Sequence, residues 1–286
     1  MAQNPGSVGQ IKTSDAALSV RGLAVALPPG MERPYAVEEV SFVLPRGQLL
    51  CIIGESGSGK SVTASAVMGL LAPPMRITAG EIVCEGTEVV GAGPDVLRKM
   101  RGRVVSMIFQ DPLSALNPLM TVGDQIMEVM TAHQEGTKES RRARALELLR
   151  EVGLPDPPLM FHQYPFRLSG GQRQRVMIAM ALALEPSILI ADEPTTALDV
   201  TTQAQILNLI REIQRRKGMS VMFITHDFGV VAELADSVIV MEKGHIVEQG
   251  SAEEVLHKPR HPYTKRLIAA VPTLNRSDRS VPDRDA

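Results

Sequence analysis

Gly54-Glu55-Ser56-Gly57-Ser58-Gly59-Lys60-Ser61 brings together the residue types that can hold a chain of phosphates. Its glycines let the backbone approach closely with its N–H groups turned inward, and a following helix would present the positive end of its dipole. In such a loop Lys60 reaches the β- and γ-phosphates and the Ser61 hydroxyl meets Mg²⁺. The flanks agree: Leu49 to Ile53 is a short apolar run suited to a buried parallel strand, and Val62 to Leu71 is apolar enough for a packed helix. A glycine-rich helix cap accounts poorly for eight consecutive positions in this setting.

A second apolar run, Ser187 to Ala191, ends in Asp192 and Glu193, as a buried strand delivering carboxylates to the carboxyl edge of a parallel sheet would. Asp192 suits Mg²⁺, directly or through water. Glu193 is placed to orient and deprotonate a water for in-line attack on a γ-phosphate, a general-base role that contributes about 10²- to 10⁴-fold. Between the two runs stands Leu168-Ser169-Gly170-Gly171-Gln172, followed by the helix-like run Val176 to Leu184. Taken alone it is equally well an ordinary serine N-cap with a glycine pair or a second anion-binding helix end.

Together these motifs resemble the ATP-binding cassette ATPases, whose signature is similar to Leu168-Ser169-Gly170-Gly171-Gln172. Gln110, a loop amide if read alone, resembles the family's Q-loop glutamine, which contacts Mg²⁺ and the attacking water. Thr196-Ala197-Leu198-Asp199 resembles the D-loop, and His226 resembles the switch histidine that holds the γ-phosphate. The resemblance implies an α/β fold: a phosphate-loop NTPase core of RecA-like type with a small antiparallel β-subdomain and an inserted α-helical subdomain. It also implies ATP and Mg²⁺ as ligands and a head-to-tail pair of cassettes, identical or paralogous, with each ATP between the Lys60 loop of one and the Ser169 signature of the other. The adenine-stacking aromatic usual upstream of the loop has only Tyr35 as a nearby candidate, and a core or surface tyrosine is an equal reading of it.

Phe109 to Pro118 and His261-Pro262-Tyr263-Thr264 are similar to segments of ATPases from bacterial importers of dipeptides, oligopeptides, nickel and related solutes. Membership of that group implies two integral membrane permease subunits, an extracytoplasmic solute-binding protein acting through them, and a peripheral position on the cytoplasmic face of the inner membrane. Many of its members carry a cysteine-bearing tail for an iron-sulfur cluster; no cysteine follows Cys84, so no cluster is expected. The rival reading is a soluble cassette ATPase of DNA repair or ribosome work, whose long inserts or tandem cassettes are not seen. A GTPase would need an Asn-Lys-x-Asp element, also not seen.

Composition adds bounds. The 286 residues, 44% of them hydrophobic, suffice for a sizeable core, and a net charge of −2 gives no polyanion-binding surface, which speaks against nucleic acid. The longest apolar run falls short of the roughly 20 residues that cross a bilayer. Cys51 and Cys84 are read as reduced core residues.

Residues 1–15 read as a mobile tail, 16–256 as the ATPase domain and 257–286 as an extension carrying His-Pro-Tyr. A helical stretch is expected over about 111–167, where Leu146, Leu149 and Val152 repeat opposite Arg141, Arg142, Arg144 and Arg150. Lying between Gln110 and Ser169, this stretch is the natural lever of a partner. Its Met120, Met127, Met130 and Met160 suit either an adaptable partner surface or ordinary core.

Overall fold

The strands that end in the motif residues are apolar on both faces because both are covered. The computed structural model describes residues 15–196 and 198–270; the tail reading up to residue 14, Ala197 of the D-loop-like segment and the extension beyond residue 270 lie outside them. A four-stranded antiparallel sheet, order β2-β1-β4-β5, is built from β1 (Ala16–Ala26), β2 (Tyr35–Pro45), β4 (Arg76–Cys84) and β5 (Thr87–Glu88). The central six-stranded sheet contains β3 (Leu49–Ile53), β6 (Val105–Ile108), β7 (Ile188–Asp192), β8 (Ser220–Thr225), β9 (Ser237–Glu242) and β10 (His245–Ser251). Its order is β10-β9-β3-β8-β7-β6, parallel except for the β9–β10 hairpin.

Side chains alternate faces along each strand, so one run feeds two cores. Leu49, Cys51 and Ile53 pack with the helices α7 (Gly170–Ala181) and α8 (Val200–Lys217), while Leu50 and Ile52 pack with the antiparallel sheet and α1 (Lys60–Val67). Cys51 and Cys84 are buried free thiols. Burial pushes Cys51 far above the usual thiol range and Cys84 up to about 12, so neither is a nucleophile at neutral pH.

After α2 (Pro94–Met100) and β6, the stretch as far as Arg167 forms α3 (Pro112–Ala115), α4 (Val122–Ala132), α5 (Lys138–Glu151), α6 (Pro157–Phe161) and a 3-10 turn at Pro165–Arg167. The buried stripe on α5 and its C-cap is Ala145, Leu148, Leu149 and Val152, the i, i+3, i+4, i+7 set; Leu146 sits on the flank. The three-residue spacing picked from sequence therefore misplaces one member, because 3.6 residues per turn carries every third residue off the stripe.

Met130 is buried in this core, and Met127 and Met160 pack against it. The large exposed apolar side chains of this stretch are instead Phe109, Leu113, Leu119, Leu159, Tyr164 and Phe166. The last described elements are α9 (Phe228–Leu234) before β9, then α10 (Ala252–His257) and α11 (Pro262–Ala269) after β10.

Candidate functional site

Parallel register brings the motif-bearing strand ends to one edge: Ile53 lies opposite Thr225, Ile224 opposite Asp192, and Ala191 opposite Ile108. The segments that leave those strands therefore meet at the carboxyl edge of a sheet whose order reverses beside β3, the place where open α/β sheets bind ligands.

Within the loop, Gly54 (φ 153°) and Gly59 (φ 105°) are the positions where a side chain has no room. A Cβ on Gly54 would lie 2.2 Å from the Met241 carbonyl oxygen, and one on Gly59 would lie 2.7 Å from that of Ala36. The loop between them is wedged against β9 and β2. Gly244 N–H donates to Ser58 O (2.9 Å), Ser58 N–H to Glu55 O (3.2 Å), and Arg33 Nη2 to Gly57 O (2.5 Å). The Glu55 and Ser56 side chains are exposed. Ser58 Oγ is buried without a partner.

Lys60, 5% exposed, turns back over the loop and donates through Nζ to Gly54 O (2.8 Å) and Glu55 O (3.0 Å). Burial pulls its ammonium below the usual lysine range, and Glu193 and Asp192 pull it back up. Ser61 Oγ donates to Asp192 Oδ1 at 3.0 Å. Burial pushes the Asp192 carboxyl above its usual value, the Ser61 bond opposing.

Glu193 is the hub of the far wall. Its backbone is left-handed (φ 45°) and its N–H donates to Ile224 O at 3.0 Å. Oε2 accepts from Gln110 Nε2 (3.2 Å) and Thr196 Oγ1 (3.1 Å), and His226 Nδ1 lies 3.4 Å from it. The structure thus brings Gln110, Asp192, Glu193, Thr196 and His226 together with Lys60 and Ser61.

The signature residues are held apart from that cluster. Ser169 caps α7 in a reciprocal box: its Oγ accepts from Gln172 N, and Gln172 Oε1 accepts from Ser169 N at 2.9 Å. Gly171 abuts Thr202, whose N–H and hydroxyl both bond the Asp199 carboxylate, the N-cap of α8. Among the described residues no hydrogen bond joins Ser169–Gln172 to the loop 54–61.

Two contacts on the loop had no local sequence signal. Arg33 reaches Gly57, whereas Tyr35, the residue the sequence singled out, opens β2 half-buried opposite Ala26. Tyr263 Oη accepts from Glu55 N–H at 3.0 Å. His-Pro-Tyr stood out as a motif, but 208 residues separate the pair.

Residues 37–196 match the family model described as "ABC transporter", and residues 247–285 match "Oligopeptide/dipeptide transporter, C-terminal region". The chain is 50% identical to the oligopeptide transport ATP-binding protein OppD of Bacillus subtilis over 91% of its own length and 73% of that protein's. It is 49% identical to the dipeptide transport ATP-binding protein DppD of Haemophilus influenzae, over 90% of this chain and 78% of that one. Among solved structures, the dimeric post-hydrolysis state of the ATP-binding cassette MJ0796 bound to ADP and Pi superposes with a TM-score of 0.73 at 30% identity, covering 82% of this chain and 98% of that one.

Proposed function

This chain belongs to the ABC transporter ATPase family, and from that premise we propose that it is the ATP-hydrolysing subunit of a bacterial inner-membrane importer of peptides or related small solutes. The Ser61–Asp192 hydrogen bond carries the reading, because it closes the phosphate loop onto the acidic strand end across 131 residues.

In this reading the N–H groups of the loop from Gly54 to Ser61, other than those of Glu55 and Ser58 that are bonded within the protein, take the phosphates, and Lys60 leaves its two carbonyls for the β- and γ-phosphate oxygens. Ser61, Asp192 and Gln110 form an oxygen donor set of hydroxyl, carboxylate and amide, the hard chemistry that suits Mg²⁺. When bound there, Mg²⁺ would neutralise charge on the phosphate oxygens. Glu193, oriented by Gln110 and Thr196, takes a proton from the attacking water, and His226 beside it steadies the γ-phosphate. Thr196 and Asp199 line the entrance to α8. Ser169, Gly170, Gly171 and Gln172 complete the site of a second cassette, identical or paralogous.

The permease subunits have a natural landing on the stretch from Phe109 to Phe166, which holds six of the ten exposed large apolar side chains among the described residues, with Tyr164 stacked on Phe166 at 5.6 Å. Among the described residues no helix is long and apolar enough to cross a membrane. In this reading attachment to the cytoplasmic face runs through those subunits. The transport relatives and the matched C-terminal region favour this over a repair or ribosome ATPase. The decisive experiment assembles the chain with its permeases and solute-binding protein and measures ATP hydrolysis with and without di- and oligopeptides. Hydrolysis indifferent to every peptide would remove peptides as the cargo.

A further inference from the structure

The C-terminal helix α11 touches the nucleotide loop through one atom, and the place it touches has consequences for Lys60. The peptide unit between Gly54 and Glu55 is planar, so its C=O and N–H turn together. Its carbonyl accepts from Lys60 Nζ at 2.8 Å, and its N–H donates to Tyr263 Oη at 3.0 Å. The Glu55 carbonyl then supplies the second acceptor of Lys60, at 3.0 Å. The carbonyl cradle of the phosphate-binding ammonium is therefore clamped on its far side by a phenol from the other end of the chain.

That phenol is itself held firmly. Tyr263 is 3% exposed. Glu248, on β10, accepts from the N–H groups of Arg260 (2.7 Å) and His261 (3.1 Å) at the helix entry, and His261 Nδ1 accepts from Tyr263 N–H at 3.2 Å. Arg266, one turn on, stands over the Tyr263 ring and lies 3.8 Å from Glu242 at the end of β9. Residue 241, just before it, provides the carbonyl against which Gly54 is pressed.

We propose that Tyr263 is a positioning residue of the ATP site, holding the Gly54–Glu55 peptide in the orientation that keeps Lys60 poised for phosphate, and that α11 is thereby coupled to nucleotide binding. The proposal rests on the loop being the ATP site. Tyr263→Phe deletes one oxygen and keeps the ring, leaving the Glu55 N–H without its acceptor and the peptide free to turn. Lys60 then has to be ordered by the nucleotide itself, which weakens binding and leaves the chemistry at Glu193 alone.

The test uses the full-length chain, with ATP affinity read by a fluorescent ATP analogue, steady-state hydrolysis, and amide hydrogen exchange resolved at Glu55. Tyr263→Phe should raise the Kd and KM for ATP about threefold to tenfold, the range of one lost hydrogen bond, with kcat within about twofold. Exchange at Glu55 should quicken. Thr264→Val is the control, since Thr264 is fully buried on the same helix and its Oγ1 has no partner; it should leave KM unchanged. An unchanged KM in Tyr263→Phe, or an equal rise in both variants, overturns the role of the hydroxyl while wild-type binding keeps the loop assignment. Wild-type chain that bound no ATP would overturn the loop assignment and this role with it.

Discussion

Gln110 Nε2 donates to Glu193 Oε2 at 3.2 Å, joining the residue that opens the helical stretch to the carboxylate beyond β7. The hydrogen bond means that a shift of α3 and its exposed Leu113 side chain moves the group that orients Glu193. A partner docked on Leu113, as proposed for the permeases, would reach Glu193 through no long pathway, only through a displacement of the chain between residues 110 and 113.

Glu193→Gln keeps the shape of that hub and removes its basicity. Turnover should fall about 10²-fold or more while ATP affinity stays near wild type. Steady-state hydrolysis beside a nucleotide-binding titration checks this, and near-normal turnover would exclude Glu193 as the base.

The two kinds of glycine in the loop should behave differently. Gly57 (φ 77°) has nothing within 4 Å of a built Cβ, so Gly57→Ala should lose only the left-handed backbone penalty, about 1–2 kcal/mol. In Gly54→Ala the new Cβ meets the Met241 carbonyl oxygen at 2.2 Å, and the loop must leave β9. Thermal melts and ATP titration should show a modest loss for the first and abolished binding for the second. Equal effects would contradict the wedged loop.

Asp192 gives a pH dependence. Burial raises its folded pKa above the ordinary 3.8, so the charged side chain destabilises the fold at neutral pH, and that penalty disappears as pH falls through the folded pKa towards 3.8. Asp192→Asn, whose amide oxygen still accepts from Ser61, should melt higher than wild type at pH 7, with the difference shrinking on acidification. Its Mg²⁺-dependent hydrolysis should be lost. A melting difference that grew with acidity would reverse the sign and sink the argument.

If the proposed site is shared between two cassettes, Ser169→Arg and Lys60→Ala lesion opposite halves of it. Each alone should impair hydrolysis, the first by blocking closure with a bulky cation and the second by weakening phosphate binding. If the pair is a homodimer, mixing the two variants leaves one interfacial site unaltered and one doubly damaged, so partial activity should return. Normal hydrolysis by either variant as a strict monomer would rule out the composite site.

What was legible in the sequence is what local pattern encodes. Apolar runs of five residues ending in Gly54 and in Asp192-Glu193 announced buried strands carrying a phosphate loop and carboxylates, and Ser169 announced a helix cap, because strand burial, turn glycine and capping depend on neighbours in the chain. The α5 stripe was legible only in outline, since Leu148 was passed over for Leu146.

What only the tertiary structure decided is which distant residue faces which. Gln110 at Glu193 and Tyr263 at Glu55 are paired by the sheet order β10-β9-β3-β8-β7-β6, which places β3 beside strands drawn from the far half of the chain. That order follows from burying both faces of the central strands at once, a condition spread over two cores and the whole chain. No window of neighbouring residues contains it.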